Sequence, residues 1–136
     1  MKLDYEYIIE ILDIFLSHNK PNIRIDGFDQ YRNEDENKFY FHILIMQDKN
    51  IIQGSGNNPN EIGINFNSNS DTYIISSVPW RLTADGHDFA KAAIKPSIKT
   101  VITSKFKEEG LSAVIDITKK LASKHAEKLL DGVLDD

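Results

Sequence analysis

The sequence predicts an α+β fold of winged-helix character, with helices around a small antiparallel β-hairpin or sheet and additional C-terminal helices. Apolar residues recur at helical spacing near the start, a turn-rich stretch with β-branched runs occupies 51–78, and helical spacing resumes after Thr83. The order is therefore helix, short strand, helix, hairpin, then helices. That is the order of a winged helix, except that no separate second helix is evident between 19 and 33.

Leu3, Tyr7, Ile8, Ile11, Leu12 and Phe15 lie three and four residues apart, with Asp4, Glu6, Glu10 and Asp13 between them. This predicts an amphipathic helix over 3–18, stopped by Asn19-Lys20-Pro21-Asn22. Ile23 to Phe28 alternates briefly before turning and is read as a short strand. Asn33 followed by Glu36 has the capping-box pattern, in which each side chain satisfies a free backbone N–H of the first turn. A second helix is thus expected over 33–49, with Phe39, Ile43 and Met46 as its stripe and Tyr40 and Leu44 beside it. Asn50 suits a left-handed stop.

Ile51-Ile52-Gln53 starts a strand, Ile62 to Phe66 alternates, and Tyr73 to Val78 is rich in β-branched residues. Residues 51–78 are therefore expected to form a wing, as a hairpin with a long loop or an interposed strand. Gly54-Ser55-Gly56 lacks both the Lys-Ser/Thr pair and the following helix of a phosphate-binding loop, so a plain loop is expected. The Asn-loaded segment 54–71 reads as a flexible loop whose neutral polar groups are open to a partner.

Thr83 is positioned to cap the next helix, which carries Phe89, Ala92 and Ala93 on one side. Pro96 opens a further helix with Ile98, Val101, Ile102 and Phe106, ended by Gly110. Ser112 is expected to cap the last helix, striped by Val114, Ile117, Leu121 and Leu129, with fraying over 131–136. With no repeat or linker, 1–136 reads as one domain, comprising a core with wing over 1–92 and C-terminal helices over 93–130.

Composition bounds the function. A hydrophobic content of 40% with 27% charged residues is that of a soluble globular protein. No apolar run approaches the ~18 residues of a membrane span, and the N-terminus carries acids where a signal peptide carries basic residues, so a cytoplasmic protein is expected. The absence of cysteine excludes disulfides, thiolate nucleophiles and Cys-based zinc sites. The net charge of −5 is uneven: 1–90 hold 7 basic and 14 acidic residues, whereas 91–136 hold 9 basic and 7 acidic. Lys91, Lys95, Lys99, Lys105 and Lys107 run without an intervening acid. An acidic body disfavours non-specific nucleic-acid binding, although a lysine cluster can act locally; a solvated helix face is its simplest reading.

Lys38 to Ile52, KFYFHILIMQDKNII, resembles a pattern Tyr-His-Ile-x-Leu-Leu-x-x-x-Gly-Leu-Ile. Arg81 to Phe89, RLTADGHDF, resembles Arg-Leu-Thr-Trp-x-Gly-His-x-Phe. Together, and followed by a Lys-rich helix and a final amphipathic helix, they resemble the bacterial and phage family known as domain of unknown function 2513. Here Asn50 stands in place of the Gly and Ala84 in place of the Trp. The resemblance implies a winged-helix-like protein of prophage or mobile-element type; the family has no established activity, so no catalytic residue carries over.

Asp85, His87 and Asp88 invite a catalytic or metal reading, which their spacing opposes. Adjacent residues on a helix point about 100° apart, and helical metal ligands sit three or four apart. His87 is therefore expected to be structural, at the junction formed by Trp80, Thr83, Gly86 and His87, where Gly86 permits close packing. Trp80 and Tyr73 are candidate partner contacts but more simply core aromatics. Neither enzyme activity, a metal nor any cofactor is expected.

The leading expectation is a DNA-binding regulator. It would use 33–49 as recognition helix and 51–78 as wing, with Arg32, Asn37, Lys38 and His42 toward the groove and Lys91, Lys95, Lys99, Lys105 and Lys107 on phosphates. Against it, Glu34, Asp35 and Glu36 would repel phosphates. The alternative is a protein-interaction module that modulates a host or phage protein. No membrane partner is expected, and the last helix could pair two copies into a homodimer. The surface charge around the second helix discriminates between the two readings.

Overall fold

A computed structural model describes residues 1–135 and shows an α+β protein of six helices with short antiparallel strands. Helix α1, Tyr5–Ser17, starts where Asp4 caps it by accepting from the Tyr7 N–H, and buries Ile8, Ile11 and Leu12 completely. The stretch expected as a strand at 23–28 contributes only Ile23 to a β-bridge, with Trp80. Residues Ile25–Phe28 instead form a 3-10 turn that leads into α2, Asp29–Glu34. That helix answers the gap at 19–33. It escaped the apolar-spacing criterion because Tyr31, the side chain it turns inward, is only partly covered.

Helix α3, Glu36–Asp48, is capped by Asp35, whose carboxylate accepts from the Lys38 N–H at 3.0 Å. The expected Asn33–Glu36 capping box does not form, because Asn33 lies inside α2 and the chain breaks to extended geometry only at Asp35 (φ −160°). Asn50 ends the helix with φ 57°, the left-handed geometry expected of it.

Strand β1, Ile52–Gly54, pairs antiparallel with β4, Trp80–Leu82, while β2, Ile64–Asn67, and β3, Thr72–Ile75, form a separate hairpin nested between them. Trp80 holds these parts together. Its backbone exchanges two 2.8 Å hydrogen bonds with Ile23 and it stands opposite Gly54 in the β1–β4 ladder. Its fully buried indole stacks on Phe28 and Phe39 and donates from Nε1 to the Ile62 carbonyl at 2.7 Å.

The Asn-rich loop is pinned by its own turn chemistry. Asn58 and Asn67 accept from the backbone N–H two residues on, the Gly54 N–H donates to Pro59, and Gln47 of α3 donates to the Asn60 carbonyl. Two of its asparagine side chains, Asn58 and Asn67, are thus engaged within the loop rather than offered to a partner.

Helix α4, Ala84–Ala93, starts as expected, with the Thr83 hydroxyl accepting from the Gly86 N–H and donating to the Asn50 carbonyl. Gly86 lies so close to β1 that a Cβ there would come 2.0 Å from the Ile51 carbonyl oxygen. Helix α5, Pro96–Lys105, packs on α1, α4 and α6. Helix α6, Leu111–Leu134, begins at a Gly110 N-cap rather than at Ser112, because Leu111 is already drawn into the core. It stays helical through residues expected to fray, while Asp136 lies outside the described residues. No helix among the described residues is long and apolar enough to cross a membrane.

Gly86 sets the α4–β1 distance, so Gly86→Ala should lower stability by about 3 kcal/mol, the upper end for overpacking against unyielding backbone. Gly56→Ala, with nothing within 4 Å, should leave the melting temperature nearly unchanged. Equal melting curves for the two variants would refute this account of the junction.

Candidate functional site

Two of the residues expected to meet DNA from α3, Lys38 and His42, turn toward α1 instead. His42 is completely buried, and its ring joins two helices: Nδ1 lies 2.7 Å from the Lys38 carbonyl and Nε2 3.0 Å from the Asp4 backbone N–H. A carbonyl can only accept and an amide N–H can only donate, so the pair of bonds selects the neutral tautomer with hydrogen on Nδ1. Burial, together with the nearby Lys38 ammonium, pushes the His42 pKa below 6.5, outweighing the opposing contributions of the Lys38 carbonyl and Asp4.

Lys38 is committed to the same joint. Its ammonium bonds the Asp4 carboxylate at 3.0 Å and sits 4.7 Å over the Tyr7 ring. Burial of Asp4 opposes its charged form, but hydrogen bonds from Lys38 and the Tyr7 N–H, with the charges of Lys38 and His42, carry its pKa below the ordinary carboxylate value. Arg32 is half-buried and 3.8 Å from Asp29, while Asn37 remains exposed. The outer side of α3 thus carries Glu36, Asn37 and Asp48 around the partly buried Phe41 and Leu44.

The lysine run is distributed over several elements. Lys91 projects from α4, Lys95 is the N-cap of α5, Lys99 and Lys105 lie on α5, and Lys107 follows it. Lys107 reaches α3, sharing a cleft of about 420 Å³ with Phe41 and Ile45, but Glu108 and Glu109 line the same cleft. Tyr5 closes this end of the molecule by donating to the Glu109 carbonyl; burial, and then the Glu109 charge, push its hydroxyl up to about 12.

Two further clefts flank α1 and differ in sign. Between α1 and the α2–α3 corner, a cleft of about 340 Å³ is lined by Asp4, Glu6, Glu10, Glu34 and Asp35, together with Tyr7, Tyr31 and Lys38. Beyond the C-terminus of α1, a cleft of about 350 Å³ gathers His18, Lys20, Arg81 and His87. His87 is exposed there, not packed into the junction as expected, because the inward positions of the first turn of α4 are taken by Gly86 and Phe89. The structural histidine is instead His42. Its i to i+4 relation to Lys38 was visible in sequence, but its partner Asp4 is 38 residues away. Trp80 is core, and Tyr73 packs on Tyr40 of α3 with ring centroids 4.8 Å apart. Among the described residues, no group of three His, Cys, Asp or Glu is placed to hold a metal ion.

Replacing His42 by Ala should cost about 3 kcal/mol, by leaving the Asp4 N–H unpaired beside a cavity. His87→Ala should fall within about 0.5 kcal/mol of wild type, as exposed substitutions do. Between the depressed native pKa of His42 and 6.5, the unfolded chain binds a proton that the native chain refuses. Stability therefore falls as pH drops below 6.5, and Asp4 adds a second loss below 3.8. Thermal melts from pH 7.5 to 5 should show a shallower decline for His42→Gln than for wild type; parallel declines would assign the effect to other groups.

The chain matches no protein-family model, no curated protein and no solved structure.

Proposed function

We propose that this is a non-enzymatic, winged-helix-like interaction module whose target is a protein rather than DNA. The order α1, Ile23 bridge, α2, α3, then the β1–β4 ladder enclosing a hairpin supports the winged-helix reading and makes α3 the equivalent of a recognition helix. The observation that carries the choice of target is the fate of α3's polar residues. His42 and Lys38 face α1, and an acidic and apolar surface is left outside.

Phosphate contacts require cations, since neutralisation of the backbone supplies most non-specific affinity for DNA. Between Lys49 and Arg81 the chain has no Lys, Arg or His, so the wing offers none. Exposed Phe66, beside Tyr73 and Tyr40, instead extends an aromatic row from the hairpin toward α3, of the kind that anchors protein interfaces. The resemblance to the phage family at the motifs of 38–52 and 81–89 would give the same class of module a place in a mobile element.

DNA binding remains as a second reading because of the cleft at the far end of α1, which presents the cations Lys20 and Arg81 beside His18 and His87. Mobility-shift titrations at about 50 and 200 mM salt separate the two readings, since phosphate-driven binding weakens steeply over that range. The protein-target reading expects no discrete complex with duplex DNA at the higher salt, and capture of a partner from lysate that Phe66→Glu, at an exposed position of the aromatic row, lowers at least tenfold with little change in the melting curve. A salt-resistant DNA complex lost in Lys20→Ala/Arg81→Ala would overturn it.

A further inference from the structure

We infer that the cleft between α1 and the α2–α3 corner is a docking site for an arginine side chain of a basic segment in the protein partner. This rests on the protein-target reading and names the chemistry of the target.

Five carboxylates line the cleft against a single internal cation, Lys38. Lys38 is spent on Asp4, and the other ion pair among the described residues, Arg32 with Asp29, lies outside the lining. Glu6, Glu10, Glu34 and Asp35 therefore face one another without a salt-bridging cation among the described residues. Asp35 has a local task in capping α3 and Glu10 interacts with the Tyr31 hydroxyl, but Glu6 and Glu34 have none of that kind.

A second, independent observation points to a ligand. Tyr7 is 8% exposed, lines the cleft, and its buried hydroxyl has no hydrogen-bond partner among the described residues. A buried polar group without a partner is costly. Its surroundings define what would satisfy it: burial first, then Asp35, Tyr31, Glu34 and Asp4, raise its pKa, so it stays protonated among acceptors. An incoming group must bring donors to several carboxylates and meet the hydroxyl oxygen at the same time.

A metal ion fits poorly, because these carboxylates are not gathered to ligand spacing. The place over the Tyr7 ring and against Asp4, which suits an ammonium, is already occupied by Lys38. A guanidinium brings five donors in a planar fork and can span carboxylates on two walls. Glu6 and Glu10 stand one turn apart on α1, with Glu34 and Asp35 opposite at the α2–α3 corner.

The test uses the full chain with fluorescein-labelled hexa-arginine and hexa-lysine peptides, read by anisotropy at about 50 and 150 mM salt. Hexa-arginine should bind at least threefold more tightly than hexa-lysine. Glu10→Gln/Glu34→Gln should weaken it at least fivefold, whereas Asp116→Asn/Glu127→Gln, an equal charge change on exposed α6, should weaken it less than twofold. Tyr7→Phe should weaken binding about threefold while its melting temperature holds or rises, since no existing hydrogen bond is lost. Equal weakening by the two charge pairs, equal affinity for the two peptides, or undiminished binding by Tyr7→Phe would each overturn the site. If Phe66→Glu abolishes capture of the protein partner but Glu10→Gln/Glu34→Gln does not, the docking site fails and the protein-target reading survives. A salt-resistant DNA complex overturns the protein-target reading instead, and the peptide titration then decides the site on its own.

Discussion

Trp80 is the constraint on which the strand ladder, the hairpin and α3 depend. Its backbone closes the bridge to Ile23 and pairs with Gly54, so one residue fixes the segment after α1 and the strand after α3 at a common distance. Its ring lies against Phe28, at the end of the 3-10 turn, and Phe39, one turn into α3. Its Nε1–H holds the Ile62 carbonyl, which anchors the start of the β2–β3 hairpin. Replacing a buried aromatic of this size with Ala costs about 3–5 kcal/mol, a large part of the 5–15 kcal/mol that holds a typical domain together. That one side chain satisfies its only polar atom and joins four chain segments explains why an indole, rather than an aliphatic residue, sits at this strand end.

With Trp80 fixing the strand ladder, the joint between α1 and α3 follows from hydrogen-bond arithmetic. An N-cap residue leaves its own backbone N–H outside the helix ladder, and at Asp4 that group is met by a histidine from another helix instead of by water. The same Asp4 carboxylate caps α1 and anchors Lys38, so one residue closes the helix locally and orients α3 across the chain. The consequence is that Lys38 and His42, two of the residues expected to face a groove, are engaged within the fold.

The legible parts of the sequence were those whose signals are local. The stripes of α1 and α3, the Thr83 cap, the left-handed Asn50 and the crowding at Gly86 each follow from residues a few positions apart. Helix α2 was illegible because a six-residue helix needs little apolar periodicity once Phe28 anchors its entrance. Asn33 and Asp35 are both good caps, and the choice between them was made by where α2 had to end, which no local pattern encodes. His42 and His87 exchanged their expected roles for a similar reason: the partners of a histidine, not its neighbours in sequence, decide whether it is buried. The acidic cleft was equally hidden, since Glu6 and Glu10 read as the solvated side of one helix and Glu34 and Asp35 as the dipole-favoured start of another.

The charges around α1 also bear on why such a cleft persists. Asp4 and Glu6 stand at the positive end of the α1 dipole, and Asp35 and Glu36 at that of α3, so each is stabilised by its own helix. Those local gains offset part of the repulsion created when the two helix starts converge, and Lys38 offsets more by reaching Asp4. Glu10 and Glu34 receive neither benefit: one sits at mid-helix in α1, the other at the last position of α2, where the dipole is unfavourable. Glu10 has the Tyr31 hydroxyl beside it, but Glu34 and the Tyr7 hydroxyl have no such partner among the described residues. Their placement is accounted for more simply by a positive group that arrives from outside, and that group would relieve the repulsion and the unmet hydrogen bond together.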